Sequence, residues 1–225
     1  MHQLFQLLSA LFYPYYCSGC GEEVQDGGVL CEICRQEVWN PRSMHPESLE
    51  VPFLDGVYFL YNYEGGIQKA LQLAKFQKRE DLLPRLAKTW ADGIREAKLF
   101  QWDIPEGVEL SLVTIPTDAE RKKARGYDIP EEIFRPWGKA IGLTWDPLLV
   151  RTRSTLPQFN LDKVQRKDNV KNCFALSRNE NLPDIVFLAD DIFTTGATLA
   201  EAARVLKKSG IRYVYGLALA SGVDV

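Results

Sequence analysis

The chain has 225 residues, which is enough to bury a sizeable core and to form one domain with an appendage, or two domains. Its composition, 46% hydrophobic and 25% charged, is ordinary for a soluble globular protein. The formal net charge of −3 gives no global reason to expect nucleic-acid binding, so any basic site must be local. No apolar run approaches the roughly 20 residues of a membrane span.

The first segment, "MHQLFQLLSALFYPYYC", predicts an amphipathic helix. Leu4, Leu7, Leu8 and Leu11 recur at helical spacing, and Pro14 ends the pattern. The segment lacks the basic region and the small-residue cleavage site of a secretory signal. We therefore expect a cytoplasmic protein without a membrane span.

Four cysteines form two close pairs, "CSGC" and "CEIC", with ten residues between them: Cys17, Cys20, Cys31 and Cys34. A fifth, Cys173, lies far along the chain and is expected to be a small buried hydrophobe. An odd count in close pairs does not indicate a disulfide framework. Two C-x2-C pairs suit a tetrahedral ion, so we predict structural Zn²⁺ with no open position. Redox pairs, incidental cysteines and an iron–sulfur cluster are the alternatives.

The cysteine segment, about residues 14–40, is too small to hold a core without a metal. We therefore predict two units: residues 1–45, with the N-terminal helix and a four-cysteine zinc finger, and residues 46–225. The stretch 41–56 contains three prolines and few periodic apolar positions, so it is predicted to be a linker.

Strand and helix patterns alternate through the rest of the chain. Predicted strands are "GVYFLYNY" (56–63), 109–116, "DPLLV", "CFAL", "DIVFLAD" and 213–220. Predicted helices cover 67–74, about 81–98, a helix from Asp128 to about Gly142, and one from Thr198 to Gly210. Capping boxes are expected at Asp128 with Glu131 and at Thr198 with Glu201. The polar, aperiodic stretch 151–171 is predicted to be a mobile loop. This order predicts an α/β fold with a mostly parallel sheet flanked by helices.

In the stretch "VFLADDIFTTGATL" (186–199), a buried strand ends in Asp190 and Asp191. Ligands of α/β sheets bind beyond the carboxyl ends of strands, and the N-terminus of the following helix suits a phosphate. Thr194, Thr195 and Thr198 add hydroxyl donors, while Gly196 lets the backbone curl around an anion. Carboxylates that accept hydrogen bonds from two ribose hydroxyls, beside a loop that binds the 5′-phosphate, would form a ribose 5-phosphate site.

Three alternatives explain this stretch less completely. The Walker pattern G-x-x-x-x-G-K-[ST] is absent. Two acids at a strand end also hold Mg²⁺ in phosphoryl acceptors, but the threonine run has no role there. A merely capped helix after a buried strand accounts for Thr198 and leaves the paired acids unexplained.

The segment "FLADDIFTTGAT" closely resembles the phosphoribosyl diphosphate (PRPP) motif of type I phosphoribosyltransferases. By that resemblance Asp190 and Asp191 face the ribose hydroxyls. Mg²⁺ binds with the pyrophosphate and ribose oxygens of the ligand. The 5′-phosphate contacts the loop formed by Thr194, Thr195, Gly196, Ala197 and Thr198.

Further segments precede this motif in a fixed order: the N-terminal helix, the four cysteines, "KFQKREDL" (75–82), "RKKARGYD" (121–128) and "TLPQFNLDKVQRKDNV" (155–170). This order resembles the ComF family of competence-associated proteins over essentially residues 5–221. The resemblance implies a phosphoribosyltransferase-like fold and a link to natural transformation. It also implies single-stranded DNA and competence helicase-type proteins as partners.

Individual residues carry the family resemblance. Arg125 and Gly126 stand where the family has R-G-F-N-Q, whereas Asp128 and Ile129 replace its Asn-Gln pair. If that pair contacts a ligand, the acceptor or pyrophosphate contact is altered here. The family's later loop is matched by Pro157, Gln158, Leu161, Arg166, Asn169 and Val170.

The resemblance implies that a nucleophile displaces pyrophosphate from the anomeric carbon, with catalysis mostly by positioning and electrostatics. The basic run Arg121, Lys122, Lys123 and Arg125 is the expected pyrophosphate clamp, unless it is only a solvated surface. Arg125 is the preferred residue because it lies inside the family match. The predicted catalytic residues are Asp190, Asp191 and Arg125. The predicted ligand contacts also include Thr117 and Arg121.

The stretch 151–171 has six basic residues against two acidic ones. It is a lid over PRPP, a nucleic-acid contact or a plain solvated loop. Tyr58, Tyr61 and Tyr63 either stack on bases or belong to the core. Two functions remain open: a PRPP-binding protein that handles single-stranded DNA, and an active phosphoribosyltransferase on an unidentified acceptor with no DNA role.

Overall fold

The computed structural model describes residues 14–49, 51–99, 107–156 and 161–223. The predicted N-terminal helix over residues 1–13 lies outside these residues, as do Pro157 and Gln158 of the family pattern. Among the described residues, no helix combines the length and hydrophobicity that a membrane crossing requires.

The described chain forms seven α-helices and ten strands. Two 3-10 turns, Pro46–Leu49 and Glu80–Leu82, connect some of them. The helices are α1 (Glu32–Val38), α2 (Gly65–Phe76), α3 (Leu83–Ala97), α4 (Ala119–Arg125), α5 (Ile129–Ala140), α6 (Lys163–Val170) and α7 (Ala197–Lys208). The strands are β1 (Tyr15–Tyr16), β2 (Glu23–Val24), β3 (Trp39–Met44), β4 (Gly56–Asn62), β5 (Leu110–Thr114), β6 (Thr144–Trp145), β7 (Leu149–Arg151), β8 (Phe174–Leu176), β9 (Ile185–Phe193) and β10 (Tyr213–Ser221).

Six of the strands form a central sheet in the order β3-β4-β10-β9-β5-β6. Every neighbouring pair is parallel except β3 and β4 at one edge, which are antiparallel. The predicted α/β fold with a mostly parallel sheet is therefore confirmed. Because β4, β10, β9 and β5 run in the same direction, the loops that follow them lie at one edge of the sheet.

Helices cover both faces of the sheet. On one face, α2, α3 and α5 bury a core in which the ring of Trp90 lies 4.5 Å from that of Phe134 and 5.5 Å from that of Trp137. On the other face, α7 packs its apolar stripe against β9, with Leu199 and Leu206 among residues that include Val186. The antiparallel pair of strands β7 and β8 also packs in this second core.

The predicted linker 41–56 is wrong over its first part, because residues 39–44 form β3 and pair with β4. Trp39 provides the physical reason: its ring packs edge-on against Tyr61 at 5.1 Å, so burial of two aromatic rings outweighs the weak strand pattern. Pro41 is tolerated because β3 is an edge strand whose register shifts between Trp39 and Arg42.

The prediction that 151–171 is a loop without structure is also wrong, because α6 occupies residues 163–170. Asp162 and Gln165 form a reciprocal capping box at its start, and Val170 is buried in the second core. Eight residues with one buried position are too few to show a helical period in the sequence.

Both predicted capping boxes are wrong. Helix α7 begins at Ala197 with Gly196 as its N-cap, and Glu201 pairs with Arg204 instead. Asp128 is the N-cap of α5, but its carboxylate accepts a hydrogen bond from the Thr117 N–H at 2.9 Å. In each box, an acidic side chain that was predicted to cap the helix binds another residue: Glu201 pairs with Arg204, and Asp128 binds Thr117.

The cysteine segment packs on the first face of the sheet. The buried guanidinium of Arg85, on α3, donates to the Tyr16 carbonyl at 2.8 Å and to the Gly28 carbonyl at 2.7 Å. The Val29 N–H donates to Thr89 Oγ1 at 3.1 Å. A Cβ at Gly66, on α2, would lie 2.4 Å from Leu30 and 2.8 Å from the Gly19 nitrogen. Helices α2 and α3 therefore hold the cysteine segment by close backbone contact.

Candidate functional site

Asp190 and Asp191 lie among the last residues of β9, at the carboxyl edge of the sheet. Strand β5 pairs with β9 up to Thr114 opposite Ala189, and β10 places Ala218 opposite Asp190. The two acids therefore lie between neighbouring parallel strands, where the segments after β5 and β9 meet. This is the position at which the sequence predicted them.

Asp191 is buried, and Lys75 neutralises its charge. The Lys75 ammonium lies 2.9 Å from Oδ1 and 2.8 Å from Oδ2 of Asp191, and both side chains are largely withdrawn from solvent. Lys75 stands in the last turn of α2, within the segment 75–82. Sequence reasoning gave this lysine no role, because its only local signal is its place beside the buried Ala74.

Asp190 is partly buried beside this ion pair. Burial and, to a smaller extent, the negative charge of Asp191 raise the pKa of its carboxyl to about 8, although the positive charges of Lys75 and Arg151 act in the opposite direction. The two carboxylates therefore do not readily carry charge together unless a ligand or cation compensates them. Such perturbed acids at a sheet edge are typical of functional sites.

The loop after β9 turns at Gly196, whose φ of 71° is left-handed. A Cβ at this position would lie 2.3 Å from Val51 and 2.6 Å from the ring of Phe193, so only glycine fits. Thr194, Thr195 and Thr198 are partly exposed, and α7 begins at Ala197. The backbone and hydroxyl donors of this loop thus gather at a helix N-terminus, which favours anions.

A cavity of about 250 Å³ opens beside this loop. Thr195, Gly196 and Ala197 line it on one side, and the exposed Lys167 and Lys171 lie among its other walls. Asp168, Glu201 and Arg204 also line it, so its charge is mixed. The size suits a small polar ligand group, and the two lysines favour a negative one.

The predicted basic loop is a short helix, α4, capped by Asp118. The Asp118 carboxylate accepts hydrogen bonds from the backbone N–H groups of Glu120 and Arg121. Arg121 donates to the Thr155 carbonyl. Arg125 donates to the Lys75 carbonyl at 3.2 Å, so it contacts the backbone of the residue that neutralises Asp191. Helix α4 therefore lies at the rim of the carboxylate pair.

The two departures from the family pattern lie inside the protein. Asp128 is buried and accepts the Thr117 N–H, while burial raises the pKa of its carboxyl. Ile129 is fully buried in the first core. Asp128 therefore closes the 117–128 segment on itself through the backbone N–H of Thr117, whereas Ile129 contributes to the core.

The six basic residues of 151–171 divide into different environments. Arg151 donates to the Pro116 carbonyl at 3.1 Å, and Arg153 donates to the carbonyls of Asn169 and Lys171. Arg166 donates to the Leu161 carbonyl at 2.9 Å. The arginines thus hold the segment together, whereas Lys167 and Lys171 are exposed.

The three tyrosines on and beside β4 lie in different environments. Tyr61 is fully buried against Trp39, and Tyr58 packs against Tyr215 with ring centroids 6.4 Å apart. Tyr63 is only partly exposed. The core alternative is therefore correct for Tyr61, since burial of a large ring outweighs its use as a platform.

The four predicted metal ligands come together in the structure. The Sγ atoms of Cys17, Cys20, Cys31 and Cys34 all lie within 4.8 Å of one another, and those of Cys20 and Cys31 are 3.6 Å apart. A tetrahedral Zn²⁺ with bonds of about 2.3 Å places its sulfurs about 3.8 Å apart, so the cluster fits that ion. Cys173 is buried elsewhere, as expected.

The electrostatics of the four thiols also favour a cation. Burial opposes ionisation of Cys17, but backbone N–H groups of Cys31, Cys20 and Gly19 lower the pKa of its thiol to about 6. Burial and the neighbouring sulfurs raise the pKa of Cys34 to about 12. The Cys17 thiolate therefore forms readily and the Cys34 thiolate does not, and a positive ion at the centre of the cluster would favour ionisation of both.

Known proteins resemble this chain along most of its length. Competence protein F of Haemophilus influenzae is 28% identical over 211 residues, which cover 91% of this chain and 85% of that protein. The chain is similar to Competence protein F. The DNA utilization proteins YhgH of Salmonella typhimurium and Escherichia coli are 26% and 25% identical over 89% and 86% of the chain, and over 88% and 85% of their own lengths. The resemblance to ComF proteins is thereby confirmed.

No family model matches the chain. Two solved structures that align with it are adenine phosphoribosyltransferases from Leishmania donovani and Leishmania tarentolae. Their TM-scores are 0.38 and 0.36, at 10% and 12% identity. The alignments cover 73% of this chain in both cases, and 83% and 91% of theirs.

The cysteine cluster predicts one tightly bound Zn²⁺ per chain. We expect Cys31→Ser to lose most of that metal and to unfold at lower temperature, because a tetrahedral site has lost one of four ligands. Metal analysis of purified protein and thermal unfolding measure both effects. Cys173→Ala is the control, and it should retain full metal content. Equal zinc in Cys31→Ser and the wild type would contradict the assignment.

The environment of Asp190 predicts a pH-dependent stability. Its pKa is about 8 in the folded chain and about 3.9 when unfolded, so the folded chain holds a proton that the unfolded chain releases. The wild type should therefore lose free energy of unfolding relative to Asp190→Asn as pH rises from 5 to 8, by up to about 1 kcal/mol per pH unit. Urea unfolding at each pH measures this, with Asp168→Asn as an exposed control. A constant difference between wild type and Asp190→Asn would contradict the raised pKa.

Proposed function

We propose that this chain binds PRPP or a related ribose 5-phosphate ligand at the carboxyl edge of its sheet, as a ComF-like protein that handles single-stranded DNA in the cytoplasm. One observation carries the proposal. Two adjacent carboxylates at the end of β9 are followed within five residues by a left-handed glycine and a helix N-terminus. Carboxylates that can accept hydrogen bonds from ribose hydroxyls and a loop that can bind a phosphate therefore follow each other along one short segment.

The geometry supports a division of roles along this segment. Asp190 and Asp191 offer oxygens that accept hydrogen bonds from the two ribose hydroxyls. The loop Thr194, Thr195, Gly196, Ala197 and Thr198 offers backbone and hydroxyl donors to the 5′-phosphate. Ionised carboxylates beside an anionic ligand repel it unless hydroxyls or a cation lie between them.

The residues at the rim suit the diphosphate end of the ligand. Arg121 and Arg125 lie on α4, and Arg125 is joined to the carboxylate pair through Lys75. Mg²⁺ bound with PRPP would neutralise the diphosphate, and carboxylate oxygens are the donors that this ion prefers. The chain's own part is to orient the ribose and to offer fixed positive charge where the diphosphate lies.

Binding of PRPP by this site depends on the two carboxylates. We expect Asp190→Asn/Asp191→Asn to bind PRPP with Mg²⁺ at least about tenfold more weakly than the wild type, because two carboxyl groups that accept hydrogen bonds from the ribose hydroxyls are lost. Isothermal titration calorimetry measures both affinities. The matched control is Glu109→Gln/Glu180→Gln, which removes two exposed carboxylates that precede β5 and β9, away from the carboxyl edge of the sheet. If the double variant at β9 and the wild type bound PRPP equally, the carboxylates would not form the ligand site.

The DNA role rests on the relatives and on local charge. Relatives of similar length bear the names competence protein and DNA utilization protein. Lys167 and Lys171 are exposed beside the phosphate loop, and the segment 151–171 carries about four net positive charges in a chain whose net charge is −3. A local basic surface of this kind attracts nucleic-acid phosphates. Competence helicase-type proteins are the partners that the family resemblance suggests.

We expect Lys167→Gln/Lys171→Gln to weaken binding of a single-stranded oligonucleotide about three- to tenfold at low salt, because two phosphate contacts are lost. Fluorescence anisotropy at several salt concentrations gives the affinity and its salt slope, which should become shallower. Lys98→Gln/Lys139→Gln removes two exposed lysines on the opposite face of the sheet and serves as the control. Equal losses in the two double variants would show that only overall charge matters.

An active phosphoribosyltransferase on an unidentified acceptor, with no DNA role, is the second candidate. The same carboxylate pair and rim cations favour it, because they are the groups that displacement of pyrophosphate needs. Release of pyrophosphate from PRPP that depends on an added acceptor would favour this candidate. Oligonucleotide binding without such release favours the first.

A further inference from the structure

The ion pair between Lys75 and Asp191 uses both oxygens of the carboxylate. The distances of 2.9 Å and 2.8 Å are those of charge-assisted hydrogen bonds, and only 23% and 8% of the two side chains are exposed. A lysine is rarely buried unless it has a partner. Lys75 therefore belongs to the site itself, as the cation in direct contact with Asp191, one of the two proposed ribose-binding acids.

The position of Lys75 is held from two sides. Arg125 donates to the Lys75 carbonyl at 3.2 Å, and the Tyr127 hydroxyl donates to the Ala74 carbonyl at 2.6 Å. These bonds fasten the last turn of α2 to the segment that follows α4. The backbone of Lys75 is thereby fixed, while its flexible side chain remains able to redirect the ammonium by a few ångströms.

A ribose ligand changes what this ammonium contacts. A carboxylate has about four lone-pair positions, and Lys75 takes one on each oxygen of Asp191. Ribose hydroxyls that bind the remaining positions share the charge of these oxygens with the ammonium and weaken its attraction to Asp191. One of these hydroxyls stands on the carbon next to the anomeric carbon, so a cation on this acid lies close to whatever substituent the anomeric carbon bears.

We propose that Lys75 selects ligands that carry an anionic group on the anomeric carbon, by shifting its ammonium from Asp191 to that group when the ribose binds. The inference rests on the proposed ribose 5-phosphate site and specifies which substituent on the anomeric carbon that site prefers. Diphosphate at the anomeric carbon, as in PRPP, receives the ammonium. Ribose 5-phosphate has only a hydroxyl there, so its binding separates Lys75 from Asp191 without a new anionic partner.

The test compares two ligands in the same proteins. Isothermal titration calorimetry with Mg²⁺ gives the dissociation constants of PRPP and of ribose 5-phosphate for the wild type, Lys75→Gln and Lys75→Arg. The measured quantity is the ratio of the ribose 5-phosphate constant to the PRPP constant. We expect Lys75→Gln to lower this ratio about tenfold or more, because one charge-assisted contact to PRPP is lost. Lys75→Arg keeps the charge, so the ratio should stay within about threefold.

Lys69→Gln removes an exposed lysine from the same helix and controls for the net charge of the protein. If Lys75→Gln weakens both ligands by the same factor, Lys75 only supports Asp191 and the selectivity proposal is overturned. If the wild type binds neither ligand, the proposed ribose 5-phosphate site is itself wrong. Glutamine retains a hydrogen-bond donor to Asp191. If Lys75→Gln still fails to fold, the Lys75→Arg ratio decides, and a loss of tenfold or more there overturns the proposal.

Discussion

Two adjacent carboxylates at the end of a buried parallel strand are the constraint on which the rest of the site depends. Burying Asp190 beside Asp191 is unfavourable, because the loss of hydration and the negative charge of Asp191 both raise the pKa of the Asp190 carboxyl. The structure compensates one of them with Lys75 and leaves the other with a raised pKa. The last turn of α2 must therefore lie close enough to β9 for Lys75 to contact Asp191. Hydrogen bonds from Arg125 and Tyr127 to this turn hold it in place.

The same helix ties the cysteine segment to the site. Gly66, in the first turn of α2, packs against the backbone of Gly19, and Lys75, in its last turn, contacts Asp191. The cysteine cluster and the carboxylate pair thus lie at the two ends of one twelve-residue helix. Loss of a structural metal would disturb the packing at the start of α2, and the most direct consequence at the sheet edge would be a displaced Lys75. The division of the chain near residue 45 remains a prediction, but this helix contacts both predicted units.

The sequence alone was sufficient to predict features that depend on interactions between residues close together in the chain. The strand periods, the helix of residues 65–76 and the spacing of the four cysteines each depend on neighbours within a few residues, and these predictions agree with the structure. Prediction failed where a contact with a residue elsewhere in the chain determines the conformation. Asp128 was assigned to a helix cap and instead binds Thr117, and the segment around Trp39 became an edge strand because Tyr61 lies beside it. Lys75 was missed for the same reason, since its partner lies 116 residues away.

The protein groups near the two ends of the proposed ligand differ in how rigidly they are held. At the phosphate end, Gly196 admits no side chain and has a left-handed backbone, so the loop has one conformation that suits an anion. At the anomeric end, the available groups are long cations on α2 and α4, whose side chains adapt to several partners. A rigid phosphate site combined with adaptable cations can retain one ribose phosphate while what occupies the anomeric carbon varies. Selectivity at that carbon then depends on the charge of the substituent and less on its shape. Lys75 is the cation in direct contact with Asp191, and it is therefore the residue that we propose to separate the possible ligands.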